Sequence, residues 1–337
     1  MSAPVAVLGG GSWGTALAWL LSGQGIPVRL WLRDAAHAEE VQASRVNRRY
    51  LPDLRLPEPL RATAELRGAL EGAETVVLAV PAQAVRELLG RCREQLPPSG
   101  GIVLAAKGLE RGTGRRLSLV SEEVLGAAKA GRVAVLSGPN LSGEIVRGIP
   151  SASVIATEDS ALARGLQELF STSLFRVYTN RDVTGVELGG ALKNPIAIAS
   201  GICDGLGFGN NTKASLLTRG LAEMTRLGVA AGARAETFSG LSGLGDLIAT
   251  AASPLSRNYR VGFALGQGES LRQAQDEVHQ TAEGVPTTEA ACRLASELGV
   301  EVPILSELYR VLFEGRAVAE AVEYLMSRPY RDEGQLD

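Results

Sequence analysis

A chain of 337 residues exceeds what one ordinary core encloses, so two domains are expected. Hydrophobic residues at 45% and charged residues at 21% are the composition of a folded, water-facing protein, and a net charge of −3 argues against a nucleic-acid partner while leaving room for a local cluster that holds a small anion. Three well-separated cysteines and two histidines, His37 and His279, form no metal-ligand spacing, which predicts no bound metal and a reducing compartment.

The first 28 residues carry no charged side chain. They lack the basic leader of a signal peptide, and three consecutive glycines interrupt them, so they read as strand, turn and helix. No stable membrane insertion is expected, and a cytoplasmic location follows. Pro4 to Leu8 is a short apolar run of the kind a buried parallel strand shows. It leads into GGGSWG, Gly9 to Gly14, and then into the helical run TALAWLLS. This is the G-x-G-x-x-G pattern in its required context, strand before and helix after. Gly9 allows the tight turn, Gly11 lets the backbone approach a pyrophosphate, and Gly14 lets the helix pack close to the strand. The phosphates would sit at the helix N-terminus, where unpaired N–H groups and the dipole favour negative charge.

A second strand, Val28 to Leu32, ends at Arg33-Asp34. At that place an acid binds the ribose 2′-OH of NAD, or an arginine accommodates the 2′-phosphate of NADP. Both residue types are present, and Arg33 favours NADPH, with NAD or dual use as the alternative. Apolar runs follow at Thr75 to Val80, Ile102 to Ala105, Val133 to Leu136, Ser153 to Ala156 and Phe175 to Tyr178. Helical segments lie between several of them, around Ala82 to Cys92 and Arg116 to Ala130. The alternation predicts a parallel, doubly wound α/β sheet of the Rossmann type, whose ligands bind beyond the carboxyl ends of the strands. Lys107 and Gly138 fall at such ends. The polar break Arg181 to Thr184 marks a boundary, giving a dinucleotide-binding domain over 1–184, an all-helical substrate domain over 185–329 and a tail over 330–337.

The stretch Glu187 to Gly209 has the apolar content of a buried helix, yet holds Lys193. Leu192, Ile196, Ala199 and Cys203 recur on one helical face; Lys193, Ala197, Ser200 and Asp204 share the next. Burial lowers a lysine pKa, which suits proton exchange near neutral pH; the alternative is a lysine whose stem lies on apolar surface with its head in water. Amphipathic helices are predicted at Lys213 to Leu227, Thr287 to Leu298 and Pro303 to Phe313. Between them, Gly240 to Arg260 gathers Asp246, Thr250, Ser256, Arg257 and Asn258. A helix over Gly245 to Ala252 would put Asp246 and Thr250 one turn apart on one face, with Arg257 and Asn258 starting the next helix. An arginine beside backbone N–H groups is a good receptor for a phosphate monoester.

The order GGGSWGTAL, NRRYLPD, VLAVPAQ, AAKGLE, SGPNLSGEIVRGIPSA, ELGGALKN, GLGDL, SRN and TAEGVPTT resembles the NAD(P)-dependent glycerol-3-phosphate dehydrogenases of the bacterial type, over roughly Val5 to Phe313. The resemblance implies a Rossmann-like domain, an all-helical domain and an active site in the cleft between them. It implies reversible reduction of dihydroxyacetone phosphate, a small phosphorylated substrate, for phospholipid synthesis, by a homodimer. Carried over by motif, Lys193 is the general acid/base, and Lys107, Asn194, Asp246, Thr250, Arg257 and Asn258 line the substrate site. Ser12, Trp13, Arg33, Gly138, Ser142, Arg257 and Glu283 contact the cofactor, and Lys107 joins them. Pro195 departs from the family's usual aliphatic residue and predicts a kink beside Lys193, or a helix restarted at Asn194-Pro195. Ser142 and Ala251 stand where alanine and cysteine are expected. A related hydroxy-acid dehydrogenase shares the two-domain plan and is the alternative; a cofactor-sensing protein without chemistry is a third reading, opposed by the presence of Lys193, Lys107 and Arg257.

Overall fold

Uncharged runs of four to six residues make the central strands of the first half's sheet, and their largely buried faces explain why they lack polar alternation. The computed structural model describes residues 3–97, 100–278 and 280–329. Its strands are β1 (Val5–Leu8), β2 (Val28–Trp31), β3 (Val46–Asn47), β4 (Leu51–Arg55), β5 (Leu60–Thr63), β6 (Thr75–Leu78), β7 (Gly101–Leu104), β8 (Val133–Ser137), β9 (Ser151–Ala156) and β10 (Phe175–Asn180). Eight of them form one sheet in the order β10-β9-β8-β7-β6-β1-β2-β5, while β3 and β4 pair apart. The sheet departs from the expected all-parallel arrangement at one place, where β9 returns antiparallel to β8. Only thirteen residues, 138–150, connect that pair, carrying a single helical turn, Ser142–Ile145. The helix expected over Arg116 to Ala130 is divided into Leu117–Leu125 and Ala127–Ala130, because Gly126 adopts φ +78° between them.

The chain divides into two compact units, Met1–Ala106 with Leu117–Val183, and Lys107–Arg116 with Thr184–Asp337. The segment 107–116, expected in the first domain, therefore goes with the second. The expected tail over 330–337 lies outside the described residues. In the first unit, Val5, Val7, Leu17, Leu21, Leu30, Val77, Val103 and Leu136 form the core between sheet and helices.

The second unit is helical among the described residues, apart from an isolated bridge between Leu109 and Arg116. Its central helix, Val183–Gly205, is buried almost all round, so the two faces separated in the sequence are both interior and Asp204 alone of the eight is half-buried. The expected restart at Asn194-Pro195 does not occur; the helix runs unbroken through Pro195. Packing on every side holds the segment where the missing proline N–H would otherwise end it. Glycines bring a second helix, Arg257–Gly266, into backbone contact: a Cβ on Gly262 would stand 1.9 Å from the Ile198 carbonyl. Around these helices Leu192, Ile196, Met224, Leu227, Phe238 and Leu305 form one cluster, and Ile198, Val261, Leu265 and Leu308 another.

Candidate active site

Lys193 projects from the middle of the central helix and its side chain is only 7% exposed. Its Nζ donates to Asp246 Oδ1 at 2.9 Å and to Thr250 Oγ1 at 2.6 Å. Thr250 Oγ1 donates in turn to Asp246 Oδ1 at 3.1 Å. The other carboxylate oxygen, Oδ2, accepts from Lys107 Nζ at 2.9 Å. Asp246 and Thr250 share a face because Asp246–Ala251 is helical, as the spacing predicts. That short helix follows a π-helical turn, Leu241–Gly245, and is tied to the central helix by Ser200 Oγ, which donates to the Ala251 carbonyl at 3.0 Å.

Two cations thus share one buried carboxylate. For Lys193, burial is the largest influence and drives the ammonium down from 10.5 to about 8; Lys107 and Arg257 push the same way, while Asp246 opposes them. For Asp246, burial alone would raise the carboxyl, but the charges of Lys107 and Lys193 outweigh it and the net shift is downward. Below pH about 8 the pair therefore stands ionised, with a proton on Lys193 that little extra energy removes.

A second chain of hydrogen bonds fixes the frame. Asn194 Nδ2 donates to the Lys107 carbonyl at 2.9 Å, Asn258 Nδ2 donates to Asn194 Oδ1 at 2.8 Å, and Gly284 N donates to Asn258 Oδ1 at 2.9 Å. Both asparagines, expected along the substrate, turn their amides to the protein and hold Lys107 and the Glu283-Gly284 turn in place. The segment carrying Lys107 is fastened again by Arg116, whose Nη1 lies 3.1 Å from Glu187 Oε2, and by Arg111 on Glu289 at 2.6 Å. These anchors escaped the sequence reading; the charged residues following AAKGLE were their only visible signal. Ser256 caps the next helix by accepting from Tyr259 N at 3.2 Å, so Arg257 opens that helix with its side chain exposed and Nη1 3.4 Å from Gln280 Oε1. Glu283 is half-buried at the N-cap of the helix Gly284–Leu298.

In the first unit the remaining expected residues follow the carboxyl ends of parallel strands. Gly9 has φ +119°, and a Cβ there would stand 2.6 Å from the Ala79 carbonyl oxygen. A Cβ on Gly14 would stand 1.9 Å from the Gly9 carbonyl oxygen, so the helix Ser12–Ser22 reaches this strand only with glycine there. Gly11 faces open space, and no side chain caps the helix it precedes. Ser12 begins that helix, and the buried Trp13 Nε1 has no hydrogen-bond partner among the described residues. An open backbone at a helix N-terminus beside an orphaned indole N–H fits a dinucleotide pyrophosphate and its neighbouring polar groups. Arg33 is exposed just beyond β2, while Asp34 Oδ1 accepts from His37 N at 2.8 Å as a helix cap. Gly138, with φ +133°, follows β8, and Ser142 begins the single turn after it. Among the described residues no group of three or more His, Cys, Asp or Glu side chains is placed to hold a metal; His279 lies outside them.

Two family models match the chain: the N-terminal part of the NAD-dependent glycerol-3-phosphate dehydrogenases over residues 4–163, and their C-terminal part over 182–323. A glycerol-3-phosphate dehydrogenase of the NAD(P)+ type from Carboxydothermus hydrogenoformans is 51% identical over 332 residues, which is 98% of either chain. The protein of the same name from Nitratidesulfovibrio vulgaris is 50% identical over 329 residues, 98% of this chain and 99% of that one. The crystal structure of glycerol-3-phosphate dehydrogenase from Coxiella burnetii superposes with a TM-score of 0.93 at 41% identity, covering 97% of this chain and 99% of that one.

Proposed function

We infer the reaction from one premise: the chain belongs to the NAD-dependent glycerol-3-phosphate dehydrogenase family. It is an oxidoreductase that reduces dihydroxyacetone phosphate to sn-glycerol 3-phosphate, reversibly, with NADPH or NADH. The observation that carries this reading is Lys193, a buried ammonium lowered to about 8 and aimed by Asp246 and Thr250.

The nicotinamide, when bound, supplies the hydride to C2. Lys193 gives its proton to the C2 oxygen as negative charge develops there, and Thr250 and Asp246 hold the ammonium in aim. Lys107 adds a second positive charge beside the developing oxyanion. Arg257, exposed at the start of its helix, takes the phosphate of the substrate together with N–H groups of that first turn. The product is a glycerolipid precursor, so the enzyme serves phospholipid synthesis. Among the described residues no helix is long and apolar enough to cross a membrane. The family resemblance favours action in the cytoplasm, as a homodimer.

Adding dihydroxyacetone phosphate to enzyme and NADPH should consume the reduced nicotinamide, whereas unphosphorylated dihydroxyacetone should not. Consumption with the unphosphorylated ketone alone would overturn the substrate assignment. The pH profile follows from the sign of the shift. Reduction needs Lys193 protonated, so its rate should be level below pH about 8 and fall above it; the slope should be about tenfold per unit. Oxidation needs the neutral amine, so its rate should rise towards about 8 and then level. Parallel limbs in the two directions would remove Lys193 as the titrating group.

Cofactor preference rests on Arg33. With Asp34 committed to its helix cap, the exposed guanidinium is the group offered to a 2′-phosphate. Arg33→Ala should lower kcat/KM for NADPH roughly 10- to 100-fold, the worth of a charge-assisted hydrogen bond, while NADH changes about twofold at most. Equal losses for the two cofactors would place the preference elsewhere.

A further inference from the structure

The motif NRRYLPD, Asn47 to Asp53, has no part in the chemistry above. Asn47 is wholly buried on β3, and its side chain is a three-way junction. Nδ2 donates to the Gly10 carbonyl and to Thr15 Oγ1, both at 2.9 Å, and Oδ1 lies 3.0 Å from His37 Nε2. Chemistry fixes the polarity of this junction. A carbonyl oxygen only accepts, so the amide nitrogen must face Gly10. The amide oxygen then faces His37, whose proton must sit on Nε2.

The neighbouring chain is shaped to deliver that side chain. Arg45 ends the helix Ala35–Ser44 and, at φ 60°, is the one non-glycine residue with positive φ among those described. A left-handed arginine costs on the order of 1 kcal/mol and persists only where its surroundings over-determine it. Here its guanidinium donates to the carbonyls of Leu60 at 2.7 Å, Leu56 at 3.3 Å and Pro57. The reversal sends β3 antiparallel to β4, with an irregularity between Val46 and Asn47 that re-aims Asn47 inward. His37 lies against Tyr50, ring centroids 5.9 Å apart.

What Asn47 grips decides its role. The Gly10 carbonyl and the Gly11 N–H belong to one planar trans peptide and point in opposite directions. Glycine on both sides leaves that peptide free to rotate, since neither residue has a Cβ to restrict it. Holding the carbonyl therefore aims the Gly11 N–H away from Asn47, and a Cβ built on Gly11 would meet nothing within 4 Å, so there is room beside that residue for a ligand. We propose that Asn47 is a positioning residue for the dinucleotide: its amide locks the Gly10-Gly11 peptide so that the N–H of Gly11 is presented to the pyrophosphate. This rests on Gly9 to Gly14 being the pyrophosphate seat.

The test is NADPH binding to the full chain, followed by nicotinamide fluorescence, beside steady-state kinetics. Asn47→Ala should raise the Kd for NADPH roughly 10- to 100-fold, while KM for dihydroxyacetone phosphate at saturating NADPH moves less than about twofold. Thr15→Val, which keeps shape and removes one partner of the junction, should raise the same Kd about threefold and decides the matter if Asn47→Ala does not fold. A lowered Tm with unchanged NADPH affinity would mean that Asn47 only supports the fold, and equal losses for cofactor and ketone would mean general damage; either overturns the proposal. Gly11→Val separates the premise from the inference. If it leaves NADPH affinity intact, the seat lies elsewhere; if it abolishes binding while the Asn47 and Thr15 variants bind normally, the seat stands and Asn47 has no part in it.

Discussion

Lys193→Ala should lower turnover by about 10³- to 10⁴-fold while leaving NADPH affinity within about twofold of the parent. The size follows from what is removed. Among the described residues Lys193 is the only ionisable donor held between Thr250 and Asp246, and no histidine among them stands in this constellation to replace it. The fold should tolerate the change, because Asp246 keeps its second partner, Lys107, at 2.9 Å and is not left as a lone buried charge. Loss of a proton donor alters the transition state and not the ground state, so kcat and kcat/KM should fall together with KM nearly constant. A chemical complement sharpens the test. Truncation opens a space that substrate already has to reach, so a small primary amine such as ethylamine should restore part of the activity, with a pH dependence set by the added amine. Turnover above about a tenth of the parent, or the absence of amine rescue in a folded variant that also binds NADPH poorly, would assign the lysine to structure and not to chemistry.

The residues whose neighbours lie close in sequence were the ones that sequence reasoning could read. Short uncharged runs placed β1, β6, β7 and β8 to within a residue or two, since a strand buried on both faces has no polar side to disguise it, and β2 was placed as closely despite Arg29. The i,i+4 spacing placed Asp246 and Thr250 on one face, and Arg257 and Asn258, expected at a helix start, do open the helix Arg257–Gly266. What joins them was not legible. Lys193 meets Asp246 across 53 positions and Lys107 meets it across 139, contacts that only the packed glycine-rich helices bring about. Lys107 follows β7 in sequence yet belongs with the helices, because Arg116, Arg111 and Asn194 pull its segment there. Pro195 read locally as a kink or a restarted helix, and the restart is absent because burial carries the helix through it. β3 is only two residues long and β4 and β5 carry charged residues, so none of the three announces itself, and Asn47 stood in the motif without a role.

Asp246→Asn should be the second most damaging change, and for a different reason. The carboxylate accepts from Lys193, Lys107 and Thr250 while itself only 2% exposed. Asparagine keeps the volume but offers one acceptor, and turns an NH₂ group towards an ammonium. Two cations, the buried Lys193 and the half-buried Lys107, then face each other without a counter-charge. Breaking a buried pair in this way typically costs about 3–5 kcal/mol, and the cheapest relief is for one lysine to shed its proton. Lys193 is already lowered to about 8 with the carboxylate in place, so without it the pKa must move further down. At neutral pH the variant should therefore hold mostly neutral amine. Reduction of the ketone should fall on the order of 10²-fold at pH 7, and the alkaline limb of its rate should slide to lower pH. Acidification should recover part of the loss, whereas the reverse reaction, which uses the neutral amine, should suffer less from the change in protonation. Stability should drop less than the full cost of an unpaired charge, because deprotonation of Lys193 removes one of the two cations. An alkaline limb still standing near pH 8 in a folded Asp246→Asn protein would show that Asp246 does not set the lysine's proton affinity, and would break the link between the ion pair and the proton transfer.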